Sequence, residues 1–180
     1  MSSRAASYWL VAGPEAQVRL EQFSLLACEG MSHGGGFCIL PPHITLYSHP
    51  LDADQPKSEG TVIDRLQRLA DSHQPVLLSP KAIEATETFT QSLVLRFNCE
   101  ALSELQPWFQ QLCLSSPNAH GYKLDPHVSL LYSQAPLEFR RELAKHLFLQ
   151  TKPLMFERVS AVMHPLMIKS SADIAAFTTL

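Results

Sequence analysis

The stretch Pro-His-Ile-Thr-Leu-Tyr-Ser at residues 42–48 has a second copy in the same chain, at residues 126–133. The second copy reads Pro-His-Val-Ser-Leu-Leu-Tyr-Ser and lies 84 residues further on. Each copy places a proline before a histidine, followed by a β-branched residue, a hydroxyl residue and a leucine, with Tyr-Ser at its end. The two histidines fall at nearly the same point in each half of the 180 residues. This repeat predicts two similar lobes, each contributing one imidazole and one hydroxyl.

The spacing within each copy indicates which side chains act together. Residues i and i+2 of a β-strand face the same side, so His43 projects with Thr45, and His127 with Ser129. Two such pairs facing each other would hold one phosphate, with one imidazole removing a proton and the other donating one. Histidine suits both roles because its unperturbed pKa of ~6.5 lies near cellular pH. We therefore predict His43 and His127 as catalytic and Thr45 and Ser129 as phosphate-binding. The symmetry of the two motifs does not distinguish the base from the acid, and of the two assignments we favour His127 as the base.

A single His-x-Ser/Thr is weak evidence, because eight histidines in a chain rich in serine and threonine give about one match by chance. A histidine at the start of a strand is more often a hydrogen-bonded structural residue. Here, however, the two matches both lie inside the repeated string. The pair resembles the mark of the two-histidine phosphoesterase superfamily, and residues 126–132 are similar to the second motif of its cyclic phosphodiesterase branch. A Tyr-Trp-Leu strand at residues 8–10 and an aromatic closing strand near Phe177 extend the resemblance.

The resemblance implies a function and one more site residue. The function is metal-independent hydrolysis of a ribose cyclic phosphate to a phosphomonoester, without a cofactor. The substrate would be ADP-ribose 1″,2″-cyclic phosphate or a nucleoside 2′,3′-cyclic phosphate, which this branch tends to open to the 2′-phosphate. The branch also uses a tyrosine near the phosphate at the place of Tyr132. Alternation puts Tyr132 on the opposite face from His127, so it is either a core aromatic or brought to the site by a bulge.

The order of elements predicts an α+β fold. Apolar runs predict strands and 3.6-residue stripes predict helices in the order strand, helix, motif strand, helix, strand, twice over. We expect one two-lobed domain over residues 1–180, with sequence halves of approximately 1–88 and 89–180. The lobes would be pseudo-symmetric, each an antiparallel-type sheet with helices outside, and would form a central groove.

Other residues could border the groove. Tyr47 faces it by alternation, and Trp9 is either a core indole or a stacking partner for a nucleobase. The six histidines outside the repeat are interpreted as surface or structural residues. Four basic residues could approach further phosphates of a substrate or be solvated surface charges: Arg96, Lys123, Arg158 and Lys169.

Composition restricts the partners. The net charge of −3 does not favour binding to a long nucleic acid, so we expect a small nucleotide substrate. The four cysteines lack metal-binding spacing and are expected to be reduced and mostly buried, with no metal shared between Cys38 and His43. No run reaches the ~20 apolar residues of a membrane helix, and none has the form of a signal peptide. We expect a cytoplasmic monomer.

Two other functions remain open at this point. One is an RNA-end-processing enzyme similar to the 2′–5′ RNA ligase-like branch, which the acidic charge balance and the Ser-Leu-Leu-Tyr ending disfavour. The other is a catalytically silent nucleotide-binding module, which the presence of both histidines and both hydroxyls disfavours.

Overall fold

The computed structural model describes residues 4–31, 36–51, 58–72, 74–116 and 121–180. The strands are β1 Arg4–Ala12, β2 Phe37–Cys38, β3 His43–Pro50, β4 Val76–Leu78, β5 Pro80–Glu84, β6 Leu93–Phe97, β7 His127–Ser133, β8 Leu154–Pro165 and β9 Thr178–Thr179. The helices are α1 Pro14–Gly30, α2 Ser58–Ser72, α3 Glu100–Ser115, α4 Leu137–His146 and α5 Ser171–Ala175. None of these described helices is long and apolar enough to cross a membrane.

The strands form two antiparallel sheets, which confirms the predicted α+β class. The first sheet has the order β3-β1-β8-β4, with β9 paired to β8, and the second has the order β2-β7-β6-β5. The motif strands β3 and β7 contact each other where the two sheets meet. The repeat therefore lies at the junction of the sheets.

Each sequence half contributes a strand to the sheet that holds the motif strand of the other half. β5 belongs to the first half but pairs with β6 of the second sheet, and β8 of the second half pairs with β1 and β4. The helices cross over in the same way, since α1 packs on β7 and α3 packs on β3. Each motif strand is thus backed by a helix from the other half, and the division near residue 88 does not separate the two sheets.

The first helix shows how the sequence determines a local element. Pro14 occupies its first turn, where the missing N–H costs no hydrogen bond. The predicted stripe Ala16, Leu20, Phe23 and Ala27 is buried against the sheets. This face joins a hydrophobic core that contains residues of both motif strands. The prediction of this helix is confirmed.

The end of the chain differs from the prediction. The prediction of a closing strand near Phe177 is confirmed only in part, because residues 171–175 form α5 and the strand that pairs with β8 is limited to Thr178–Thr179. The Ser170 side chain accepts a hydrogen bond from the backbone N–H of Asp173 and caps this helix. The cap and the helix place Phe177 beside the cavity described below rather than in a strand.

A buried arginine ties α4 to the second sheet. Arg140 is 5% exposed and donates hydrogen bonds to the backbone oxygens of Ala135, Thr86 and Ser92 at 2.9, 2.6 and 2.7 Å. This one side chain therefore supplies the hydrogen-bond donors for three backbone carbonyl groups.

We expect Arg140→Met to lower the free energy of unfolding by about 3 kcal/mol or more, because each buried carbonyl left without a donor costs ~1–3 kcal/mol. Urea denaturation would measure the loss. Arg141→Met is the matched control, since Arg141 is exposed and pairs with Glu138 one turn earlier. Equal stability of the two variants would contradict this role of Arg140.

Candidate active site

Both motif histidines line one cavity between the sheets. The cavity has a volume of about 420 Å³, within the range of small-molecule sites, and its walls include His43, Thr45, His127 and Ser129. The two pairs that the repeat predicted are therefore brought together by the fold. Their strands are β3 and β7, which belong to different sheets.

The same hydrogen bond orients both imidazoles. Nδ1 of His43 lies 2.7 Å from the carbonyl oxygen of Pro41, and Nδ1 of His127 lies 2.7 Å from that of Asp125. A carbonyl oxygen only accepts, so Nδ1 carries the proton in both rings. Each Nε2 is then an acceptor in the neutral ring and a donor in the charged one. The site thus contains two imidazoles whose second nitrogen is available for proton transfer.

His43 lies in an apolar environment. Its ring stacks on the indole of Trp9, with 3.6 Å between centroids and 12° between planes, and the residue is only 8% exposed. Burial lowers the pKa of His43 to about 4, against the opposing effect of the Pro41 hydrogen bond, and the charge of His127 lowers it further. His43 is therefore neutral near pH 7.

His127 has a carboxylate beside it. One carboxylate oxygen of Asp125 lies 3.4 Å from Nδ1 of His127, in addition to the backbone contact. Both oxygens of Asp125 also accept from Arg96, at 2.7 and 2.8 Å. The hydrogen bonds from His127 and Arg96 hold the pKa of Asp125 well below its usual range. The carboxylate of Asp125, held by Arg96, thus faces the His127 ring.

The hydroxyl groups of both motifs also line the cavity. The Ser129 hydroxyl donates to the backbone oxygen of Thr90 at 2.9 Å, and the Tyr132 side chain lines the same cavity. Burial raises the pKa of Tyr132 to about 12, so this phenol stays protonated. On the opposite strand the Thr45 side chain lines the cavity.

A bulge brings Tyr132 to the cavity. In the pairing of β6 with β7, Val94 lies opposite Ser129 and Leu93 opposite Leu131, so Leu130 has no partner. The side chains after Leu130 are therefore shifted by one position, and Tyr132 lines the cavity with His127 and Ser129. The alternative of a core aromatic turned away from the site is excluded by this geometry.

The first motif has the same bulge, which overturns the prediction for Tyr47. Trp9 lies opposite Thr45 and Tyr8 opposite Tyr47, so Leu46 is the extra residue of β3. Tyr47 is consequently 1% exposed and packs in the core rather than facing the groove. The residue that takes its place in the cavity wall is Ser48, the counterpart of Tyr132 in the repeat.

The structure also adds cavity residues that the sequence analysis did not find. Ser7, Ser48 and His164 line it, and His164 was among the histidines interpreted as surface or structural. His164 is buried, and so is His49, which also lines the cavity and contacts Arg65, whereas His146 is exposed. His33, His73 and His120 lie outside the described residues. No local signal marks His164, because its partner Ser7 is 157 positions away.

The four basic candidates do not line the cavity. Arg96 is bound to Asp125 and Glu84 instead. The four cysteines are free, and contrary to expectation none of them is fully buried, since Cys99 is exposed and the others are half-buried. Within the described ranges, no group of three or more His, Cys, Asp or Glu side chains is arranged to hold a metal ion.

The fold has counterparts among solved structures. The crystal structure of TT0787 of Thermus thermophilus is 13% identical, with a TM-score of 0.55 over 98% of this chain and 94% of that one. Usb1 of Kluyveromyces marxianus is 15% identical, with a TM-score of 0.57 over 98% and 97%. The same Usb1 with uridine monophosphate aligns at 17% identity, a TM-score of 0.55 and the same coverage. No family profile and no curated protein sequence matches the chain.

These similarities extend over nearly the whole chain and show the fold.

We expect the ring of His43 to remain neutral down to about pH 4, because its burial against Trp9 removes the water that would stabilise the charge. Proton–carbon NMR of ring-labelled histidine would follow the titration, with the His43→Gln spectrum assigning the signal. In the Trp9→Leu variant, His43 should titrate at higher pH, because without the indole its imidazole is less shielded from water. A His43 midpoint near 6.5 in the unmodified protein would contradict this environment.

Proposed function

We propose that the protein is a metal-independent phosphodiesterase that opens a ribose cyclic phosphate to a phosphomonoester. The observation that supports this most is the pair of imidazoles, His43 and His127, each with its Nε2 available and each with a hydroxyl neighbour, on the walls of one cavity. Acid–base catalysis needs one group that accepts a proton and one that donates. The similarity to Usb1 structures, one of them with uridine monophosphate, supports a nucleotide ligand.

In this mechanism His43 and His127 act on opposite sides of phosphorus. Nε2 of neutral His43 takes a proton from water as the water oxygen bonds to phosphorus. The bond from phosphorus to one ribose oxygen breaks, and Nε2–H of protonated His127 donates its proton to that oxygen. The products are a phosphomonoester with a free ribose hydroxyl, and each imidazole then has the protonation state of the other. Proton exchange with water restores the starting state.

The surroundings of the two rings support this assignment, which is the reverse of the one taken from the motif alone. His43 packs on an indole with its pKa at about 4, so it is available as a base at neutral pH. His127 has the carboxylate of Asp125 3.4 Å from its Nδ1, and in this mechanism it is the ring that donates the proton. The two matching motifs carry no information on these neighbours, because Trp9 and Asp125 lie outside the matched residues.

The hydroxyls would bind the non-bridging oxygens of the phosphate. Thr45 and Ser129 accompany the two imidazoles, and the Tyr132 phenol remains a donor at neutral pH because burial raises its pKa to about 12. A phosphoryl oxygen would compete with the Thr90 carbonyl for the Ser129 proton. Donors aimed at oxygens on which charge develops stabilise the transition state more than the ground state.

The charge of the cavity favours a nucleoside 2′,3′-cyclic phosphate over ADP-ribose 1″,2″-cyclic phosphate. Of the described residues on the cavity wall, none is a lysine or an arginine. A nucleoside cyclic phosphate brings one negative charge, which a protonated His127 balances. The diphosphate of an ADP-ribose substrate would add two more negative charges without a cation among these residues to meet them.

We expect His43→Ala and His127→Ala each to lower kcat for adenosine 2′,3′-cyclic phosphate by ~10²–10⁴-fold, in buffer containing EDTA, because each removes one positioned proton transfer. The pH profiles should differ as well. Rate should fall below about pH 4 in the unmodified protein as His43 gains its proton, and this acidic limb should be missing from His43→Ala.

His146→Ala is the matched control, since His146 is exposed at the end of α4. The control should keep full activity. Undiminished turnover in either motif variant would remove the mechanism. Tight nucleotide binding with no product after long incubation would instead identify a catalytically silent binding module.

Turnover of the mononucleotide should exceed that of an oligonucleotide ending in a 2′,3′-cyclic phosphate. The reason is that the described residues of the cavity wall include no cation to bind further phosphates along a chain. Comparing kcat/KM for adenosine 2′,3′-cyclic phosphate and for a short RNA with the same terminal nucleotide measures this. A higher kcat/KM for the RNA would favour the RNA-end-processing alternative.

A further inference from the structure

The cavity has a second polar cluster, formed by Ser7, Ser48 and His164, which the mechanism above does not use. We call the region around these three residues the distal end of the cavity. Ser7 lies two residues along β1 from Trp9, or about 7 Å at the usual strand rise. Ser7 lies opposite Ser48 in the pairing of β1 with β3, and Trp9 stacks on His43, so the distal end is the part of the cavity beyond Trp9.

The three side chains form one hydrogen-bonded chain. The Ser7 hydroxyl lies 2.9 Å from Oγ of Ser48 and 2.7 Å from Nε2 of His164, and Nδ1 of His164 lies 2.8 Å from the carbonyl oxygen of Pro165. Ser7 and His164 are 5% and 4% exposed, whereas Ser48 is half-buried. Ser48 is therefore the member of the chain that a ligand in the cavity meets.

The direction of the protons in this chain follows from His164. The Pro165 oxygen only accepts, so Nδ1 carries a proton, and burial lowers the pKa of His164, which keeps the ring neutral with Nε2 as an acceptor. Ser7 must then donate its proton to Nε2 of His164, because a lone pair of the serine oxygen facing the lone pair of Nε2 at 2.7 Å would be repelled. With that proton used, the Ser48 hydroxyl gives its own proton to Ser7. Ser48 consequently presents only lone pairs to the cavity.

Much of the wall beside this cluster is apolar. Leu166, Ile168 and Ile174 from the C-terminal segment line the cavity, and the Phe177 ring stacks on His164 at 4.9 Å and 20°. An apolar slot with one acceptor edge fits a planar heterocycle whose rim bears an N–H group. It does not fit a phosphate, which needs donors, because both serine protons are already used within the chain.

We propose that the distal end is the nucleobase subsite, and that Ser48, anchored through Ser7 and His164, accepts a hydrogen bond from an N–H group of the base. This proposal deepens the proposed function and rests on it for the identity of the ligand as a nucleotide. It assigns the two ends of the cavity different chemistry, with proton transfer and phosphate binding at one end and recognition of a base by an acceptor at the other.

The test is the affinity for two nucleotides that differ in one amino group, adenosine 2′-monophosphate and purine riboside 2′-monophosphate. Isothermal titration calorimetry would measure both dissociation constants for the unmodified protein and for Ser48→Ala. The unmodified protein should bind the adenosine compound about three- to ten-fold more tightly, as expected for one hydrogen bond. Ser48→Ala should bring this ratio close to one, and Ser48→Thr, which keeps the hydroxyl, should restore it.

Ser103→Ala is the control, since Ser103 is exposed on α3 and should leave the ratio unchanged. A ratio that Ser48→Ala does not change, or no binding of either nucleotide, would overturn the subsite. Because binding does not need turnover, the two proposals fail separately. If the protein hydrolyses the cyclic phosphate but Ser48→Ala does not change the affinity ratio, only the subsite proposal is contradicted. If Ser48→Ala changes the ratio but the protein does not hydrolyse the cyclic phosphate, only the proposed phosphodiesterase activity is contradicted.

Discussion

The arrangement of the site depends on one hydrogen bond that occurs twice, from Nδ1–H of a motif imidazole to the carbonyl oxygen two residues earlier. In both copies a proline, Pro42 or Pro126, stands between the two partners. A proline restricts the residue before it to an extended conformation, which fixes the direction of the accepting carbonyl. The bond leaves Nε2 as the one nitrogen available to a substrate. Without it the rings could rotate and the tautomer would be undetermined.

A bulge at the same position of each motif strand determines which side chains follow the histidines into the cavity. The unpaired leucines are Leu46 and Leu130, both fully buried. After each bulge the alternation is reversed, so Ser48 and Tyr132 line the cavity. The same local distortion thus gives the first strand a small hydroxyl and the second a phenol. Two strands with nearly equal sequences thereby present different side chains to the cavity.

The inequality extends to the imidazoles themselves. Trp9 comes from β1 and covers His43, whereas Asp125 precedes β7 and faces His127 with a carboxylate held by Arg96. The burial against Trp9 lowers the pKa of His43 to about 4, so a repeat with matched residues places its two imidazoles in unequal surroundings. The proposed acid–base mechanism assigns these two rings different roles.

The sequence by itself determined the α+β class, the helix stripe of α1 and the two His-hydroxyl pairs, because strand alternation and helix period are local and can be read over a few residues. Only the tertiary structure decided that β5 pairs with β6 in the second sheet and that β8 pairs with β1 in the first. It also decided that Ser7 contacts His164, 157 positions away. Such contacts depend on which strands pair and in what register. A single unpaired residue in a ladder reverses the faces of all that follow, which is why alternation alone puts Tyr47 on the wrong side.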